Sequence, residues 1–553
     1  MPSELDQKYE AVLAAVSGEG GRIVIGPDAR GRPTVANFPP TLPMMFMMFA
    51  QFYADHPYVI SGEEKLTYAE INALTDKIAK GLVARGIEKG DRVAIAMRNC
   101  TSWIAAYMGV VKAGGVATLI NGWWREEELR HALELTAPRL IIADAPRAAM
   151  ARGLGHGDST LDIDIDQPVE TAMAALLGAA DETALPQVTP DDDATILFTS
   201  GSTGKAKGAL STHGQVVQGT YTYVVSLMVL RGILESEGRP VPEQMRALVS
   251  VPLFHVTGEV PVMLTSYVID RALVLMPKWD AELAMQLIEK EKVTVFTGVP
   301  TMALELMTHP NKDNYDLSSL GDINSGGAAR PAAHLKRQEE DLPGTRSIQG
   351  YGLTETNAVG CGNFWQNYKE RPTSVGRPQM PFVEIAILGD DGKRLPAGQT
   401  GEIAIRSAAT IKGYWGDEEA TAAAYTDDGF FRTGDIGYLD EEDYLYIVDR
   451  MKNIIIRGGE NIAAAEVEEA LYAHPAVAEA VVLAKKDERL GEVPFAIVSC
   501  PEGGCDAEDL RSFCGERLAA FKVPEEIVVA DTALPRLGTG KVDRIALAKQ
   551  YRD

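Results

Sequence analysis

From residue 68 onward the chain alternates, at short intervals, between apolar residues at helical spacing and short apolar runs bounded by glycine, which restricts it to a layered α/β architecture. YAEINALTDKIAKGLVARG (68–86) has the helical spacing, and Gly90 and Asp91 turn the chain into RVAIAM. A helix over 103–112, a Gly114-Gly115 break, the strand VATLI, a polar helix over 125–135 and the strand LIIAD follow. Strands that are apolar throughout and separated by helices pack as a parallel sheet covered on both faces. A second set, RALVSVP, RALVLMP and KVTVFTGVP, separated by helices such as DAELAMQLIEK, repeats the scheme. Residues 161–193, with acids, alanines and prolines, read as an irregular surface connection.

Beyond Arg377 short strands (VEIAIL, GEIAIR, YLYIV) punctuated by Gly-Asp turns predict a small β-rich subdomain. A boundary falls at Asp449-Arg450. After it EVEEALYAHPAVAEAVVLA reads as helix then strand, EVPFAIVSC as strand and DAEDLRSFCGERLAAF as helix, enough for a separate small core. The expected fold is α/β: a large N-terminal domain, 1–449, of layered α/β subdomains plus the β-rich subdomain, then a small α+β C-terminal domain, 450–553. The first forty residues look like an added hairpin and carry no usable motif.

The formal net charge of −25, from 53 basic against 78 acidic residues, argues against a nucleic-acid partner. An anionic substrate must therefore be drawn in by local features. Five cysteines with no CxxC pair suit free thiols in a reducing compartment, with neither a zinc site nor a disulfide framework. No apolar run reaches spanning length, and Glu4 and Asp6 stand where a secretory leader would be basic, so a cytoplasmic protein without an integral membrane segment is expected. LPMMFMMFAQF, from Leu42, reads as a helix packed on the body.

The local feature for an anion is TSGSTGKAKG. Gly201, Gly204 and Gly208 permit close backbone approach, Thr199, Ser200, Ser202 and Thr203 offer hydroxyls, and Lys205 and Lys207 add positive charge. The spacing is neither that of a Walker A loop nor that of a dinucleotide fingerprint. The strand ATILF leads into it, as a phosphate cradle requires. In QGYGLTET an aromatic, a hydroxyl and a carboxylate stand on a glycine-flanked turn (Gly350, Gly352). Tyr351 could stack on a purine, Thr354 donate to a phosphate oxygen and Glu355 hold Mg²⁺. In the Thr433-Gly434-Asp435 turn, Asp435 could accept both hydroxyls of a ribose.

These stretches occur in order with SGGAAR, FRTGDIGYLDEEDYLYIVDRMKN, RGGENI and GTGKVDR. The set resembles the adenylate-forming superfamily of acyl-CoA synthetases, firefly luciferases and peptide-synthetase adenylation domains, closest to fatty-acid or aryl-acid CoA ligases. The resemblance implies ATP, Mg²⁺ and coenzyme A as cofactors and co-substrates, and a small domain that swings between two half-reactions. Thr199, Ser200, Gly201, Ser202, Thr203, Gly204 and Lys205 would wrap phosphates, while Gly326, Gly327 and Ala328 would bring backbone close to the adenine edge. Asp435 would clamp the ribose with Arg450 as a second contact. Lys541, entering from the small domain, would stabilise charge on the α-phosphate. Lys452 matches the hinge and Gly459 a glycine lining the thiol tunnel.

VPLFHVTG (251–258) matches the segment bordering the acyl pocket. Amino-acid-activating relatives place an aspartate where His255 stands, so an ammonium-bearing substrate would go unpaired. His255 resembles an aromatic gate, and Val299, Pro300 and Thr301 another wall. A medium- or long-chain fatty acid is expected, with an aromatic acid as the alternative. Transfer of the adenylate to a carrier protein, and a catalytically silent nucleotide binder, are competing readings. The silent binder would have lost Lys541, Glu355 or Thr354. Trp123 and Trp124 are left between packing and contact with a partner subunit, so a homodimer stays open.

Overall fold

The helix Tyr68–Ala84 shows how the apolar pattern becomes structure. Thr67 caps it, accepting from the Glu70 amide while the Glu70 side chain returns a bond to the Thr67 backbone. Ile71, Leu74, Ile78 and Leu82 bury one face, and Gly86, at φ +82°, follows its end. That face packs on the helix Thr101–Lys112. A Cβ added at Gly109 would stand 2.5 Å from Ile78 Cγ2, so the approach of the two helices needs glycine there.

A computed structural model describes residues 2–178, 182–199, 206–326, 332–500, 505–530, 532–537 and 541–552. Among them, the large N-terminal body holds three sheets beside a small hairpin. The first sheet runs, in spatial order, Gly413–Tyr414, Lys207–Thr212, Asp193–Thr199, Val116–Leu119, Arg92–Ala96, Leu140–Asp144 and Thr160–Ile163. Its strands from Asp193–Thr199 to Thr160–Ile163 are parallel. The second has a parallel centre, Arg346–Gly352, Asp322–Gly326, Val295–Gly298, Met245–Val249, Arg271–Leu275 and Pro57–Ser61, with antiparallel strands at both edges. The third is the antiparallel set Val383–Leu388, Gly401–Ser407, Phe431–Leu439 and Leu445–Arg450. The smaller C-terminal unit has its own five-stranded sheet with helices Ala464–Tyr472, Ala507–Gly515 and Arg544–Tyr551. Its core has two sides, one around Val467, Leu471, Val482 and Leu510, the other around Phe495, Ile497, Leu534 and Leu547.

Three expectations need correction. Residues 161–193 are not merely a surface connection. Thr160–Ile163 is the edge strand of the first sheet, and Val169, Met173 and Leu176 are buried in the main core. The cysteines are not all free thiols either. Cys500, just after the strand Gly491–Ser499, is bonded to Cys505, just before the helix Ala507–Gly515, their Cα atoms 6.5 Å apart and within bonding reach, while Cys100, Cys361 and Cys514 are buried and free. A reading that looked for CxxC spacing misses a pair five residues apart at the ends of two elements.

The first forty residues are more than a hairpin. The helix Glu4–Ser17 packs on the long helix His213–Ser236, and its buried Asp6 accepts from Asn367 Nδ2 at 2.9 Å and Tyr444 Oη at 3.0 Å. In the hairpin that follows, Arg32 donates to the Ser407 carbonyl at 2.9 Å. The helix Leu42–Phe52 packs as expected through Leu42, Met45, Phe46 and Phe49, and no helix of the described residues is long and apolar enough to cross a membrane.

Candidate active site

Parallel strands bring their carboxyl ends to one rim of a sheet, where ligands of open α/β folds bind. Here Asp322–Gly326 and Arg346–Gly352 run side by side and end with Gly326 opposite Gly350. A Cβ on Gly326 would meet only the Gly350 carbonyl, at 3.7 Å, and one on Gly350 only that of Cys361, at 4.0 Å. The space beside these peptide planes is open among the described residues and suits a flat ring. Thr199 ends its strand in register with Lys207. Ser200, Gly201, Ser202, Thr203, Gly204, Lys205, Gly327 and Ala328 lie outside the described residues. Behind Thr199, Trp124 meets Phe198 edge-on at 5.1 Å, and Arg98 sits 4.3 Å over Trp123. Both tryptophans therefore pack within the body.

Asp435 and Arg450 face each other on paired strands. Arg450 Nε lies 2.9 Å from Asp435 Oδ1, and Tyr351 Oη donates to Oδ2 at 2.7 Å. The carboxylate is only 3% exposed, and this cation and hydroxyl take up the lone pairs that burial removes from water. Tyr351 is thereby fixed beside Asp435.

Thr354 and Glu355 sit on a short 3-10 turn that Asn357 and Ala358 close in left-handed conformation, φ +49° and +66°. Non-glycine residues hold that conformation only when the surroundings impose it. Asn357 Nδ2 does so here, donating to Ser211 Oγ at 3.0 Å and the Ala409 carbonyl at 2.7 Å. Tyr414 Oη donates to Glu355 Oε1 at 3.0 Å, and Lys207 Nζ lies 4.9 Å over the Tyr414 ring. Burial pushes the Glu355 carboxyl up from its ordinary value. Sequence reasoning missed Tyr414, which reaches the site because Gly413–Tyr414 pairs with Lys207–Thr212.

Lys541 arrives from the C-terminal unit on a hairpin whose arms are joined by Leu537 N donating to the Lys541 carbonyl at 2.7 Å. Arg536 anchors it, one guanidinium nitrogen donating to Thr301 Oγ1 at 3.1 Å across the cleft and another to Glu479 within its own unit. Lys541 is partly buried. Loss of water, then the neighbouring Arg450, push its ammonium down to about 8, against the pull of Asp435. His255 is within reach of the Lys541 charge, and its imidazole is pushed down to about 3 by burial and then by Lys541. The Thr257 amide donates to His255 Nδ1 at 3.3 Å, which leaves the proton of the neutral ring on Nε2.

The fold thus gathers His255, Tyr351, Thr354, Glu355, Asp435, Arg450 and Lys541 with the glycine rim. Lys452 is exposed on the turn Met451–Asn453 between the two units. Gly459 is exposed at a hairpin turn, φ +94°, outside this group.

The family model for AMP-binding enzymes matches residues 46–415, and that for the AMP-binding enzyme C-terminal domain residues 466–541. The chain is similar to a long-chain-fatty-acid–CoA ligase of Bacillus subtilis (strain 168), 35% identical over 523 residues, 88% of this chain and 90% of that one. It is also similar to a feruloyl-CoA synthase of Amycolatopsis sp, 34% identical over 482 residues, 87% of this chain and 93% of that one. Among solved structures, O-succinylbenzoate coenzyme A synthetase from Bacillus subtilis, in complex with ATP and magnesium ion, superimposes with a TM-score of 0.76 at 29% identity, covering 92% of this chain and 99% of that one.

Proposed function

This chain belongs to the AMP-binding enzyme family and is an ATP-dependent, AMP-forming acid:CoA ligase, and from that premise we propose that its acid is a medium- or long-chain fatty acid and that the gathered residues divide the work between two displacements. In the first, the acid's carboxylate attacks the α-phosphorus of ATP and pyrophosphate leaves. In the second, the thiol of coenzyme A attacks the acyl carbon and AMP leaves.

Asp435 takes the ribose hydroxyls, its remaining lone pairs being directed away from Arg450 and Tyr351. The rim at Gly326 and Gly350 takes the adenine, and Thr199 and Thr354 donate to phosphate oxygens. Lys541 places its ammonium where charge accumulates on the α-phosphate; its lowered pKa reflects a site short of negative charge, which the nucleotide supplies. Among the described residues Glu355 has a hydroxyl on one oxygen and no cation in contact, and no cluster of three or more metal-binding side chains occurs. That fits Mg²⁺ held by one carboxylate and by phosphate oxygens, and bound there it would draw charge off the phosphates. Lys452 is the hinge about which the small unit swings for thioester formation, bringing Gly459 to the thiol.

The observation that carries this reading is that the Lys541 charge reaches both His255, assigned to the acyl side, and Arg450 with Asp435, assigned to the nucleotide side. For the acid, the wall before His255 is apolar and buried (Val251, Leu253, Phe254), and a neutral imidazole offers nothing to a substrate ammonium. The similarity to a feruloyl-CoA synthase favours an aromatic acid as the second reading. A panel of aliphatic and aromatic acids with ATP, Mg²⁺ and coenzyme A, read as AMP release, separates the two. Turnover of cinnamates and benzoates with no turnover of any aliphatic acid would overturn the first.

A further inference from the structure

Beside His255 a carboxyl group lies in the core without a charged partner among the described residues. Glu259 is fully buried; Tyr107 Oη donates to its Oε1 at 2.7 Å, and Oε2 has no hydrogen-bond partner among those residues. The ring of Trp103 stacks on Tyr107, centroids 5.6 Å apart at 14°, and Trp103 Nε1 is likewise buried with no acceptor among the described residues. Both aromatics lie on one face of the helix Thr101–Lys112. Buried polar atoms without partners are rare in native proteins and require a reason. A bond that merely joined two helices would need one oxygen of Glu259, and apolar residues would do that work without a buried acid.

The position supplies the reason. The Glu259 amide donates to the His255 carbonyl at 3.0 Å, so its side chain follows His255 by one helical turn, about 5–6 Å along the same face. The chain passes there into the π-helix Gly258–Leu264, a form that recurs at functional sites, with Thr265 Oγ1 taking up the Val260 carbonyl at 2.8 Å.

We infer that Glu259, assisted by Trp103, recognises a neutral hydrogen-bonding oxygen, hydroxyl or keto, carried along the acyl chain of the acid, so that the substrate is an oxygenated acid rather than a plain hydrocarbon one. This rests on the proposed acyl wall at residues 251–258. Burial pushes Glu259 up to about 7, so near neutral pH the free oxygen can accept from a hydroxyl or, protonated, donate to a ketone. Trp103 donates to either.

The test compares kcat/KM for decanoate with that for its mid-chain hydroxy and oxo derivatives in the wild type, Glu259→Leu and Glu259→Gln, with melting temperatures as a folding control. The wild type is expected to favour an oxygenated acid by about 10- to 100-fold. Glu259→Leu should bring the ratio near unity, and Glu259→Gln should restore part of the preference. Equal use of all three acids by the wild type, or a ratio that survives in Glu259→Leu, overturns the assignment. If the leucine variant does not fold, the isosteric glutamine variant decides: an unchanged ratio there overturns it. If no aliphatic acid releases AMP, the fatty-acid reading has failed instead. The comparison then passes to cinnamate and its ring-hydroxylated derivatives, where equal use refutes Glu259.

Discussion

Replacing Lys541 by methionine keeps most of the aliphatic stem and removes the charge, and the structure predicts opposite effects on stability and activity. The ammonium is pushed from an ordinary 10.5 to about 8, a penalty on the charged form of about 3 kcal/mol in the nucleotide-free protein. The unfolded chain keeps the ordinary value. Between about 8 and 10.5 the unfolded state therefore holds a proton that the folded state has lost, and stability rises with pH across that window. Below pH 8 the penalty is present in full. Lys541→Met removes it, and because the hairpin can relax the expected gain at pH 7 is about 1–3 kcal/mol, with a flattened pH dependence between 8 and 10.5. Adenylation loses the same charge where it is needed, and ATP–pyrophosphate exchange should fall about 100- to 1,000-fold. Thioester formation from a synthetic acyl-adenylate should fall less than about tenfold, because the proposed hinge motion takes Lys541 out of the site for that step. In the wild type, kcat/KM for adenylation should decline above pH 8, because that ratio reports the free enzyme. Undiminished exchange in the variant, or lower stability at pH 7, would refute the electrostatic account.

Tyr414→Phe takes the hydroxyl from Glu355 and leaves burial unopposed on that oxygen, so KM for MgATP should rise about 5- to 15-fold, less at higher pH where the carboxyl ionises again; an unchanged KM removes Tyr414 from the site. Arg536→Ala breaks the bond to Thr301 and leaves the Glu479 carboxylate, 8% exposed, without its cation. A loss of about 3–5 kcal/mol in stability is expected. Pyrophosphate exchange should slow about 5- to 10-fold, with thioester formation from preformed adenylate nearly unchanged. Equal slowing of both half-reactions would show that Arg536 does not hold the adenylation arrangement.

The alternating helices and strands were legible because buried parallel strands must be apolar throughout: RVAIAM, VATLI and LIIAD all became strands of one sheet. TLDI (160–163) became a strand too, but as an edge strand half open to water it carries an aspartate and lacks that signature. The motif residues were legible as types in sequence. What joins them was not. The register that sets Asp435 against Arg450, and the short edge pairing that brings Tyr414 to Glu355, are settled by strands distant in sequence. Glu259 left a faint signal, a single acid in the apolar run VTGEVPVMLTSYV, which reads as ordinary helix until its surroundings show that it never meets water.

The clasp at Asp6 has a consequence for assembly. A ribosome releases Asp6 long before Asn367 and Tyr444 are made, and Tyr444 stands just ahead of the strand that carries Arg450. The helix Glu4–Ser17 cannot be locked until that strand is out, so it settles only after a partner 438 residues further along the chain has been made. A bulky insertion just ahead of this helix would leave the folding of the intervening elements untouched and slow the final closure.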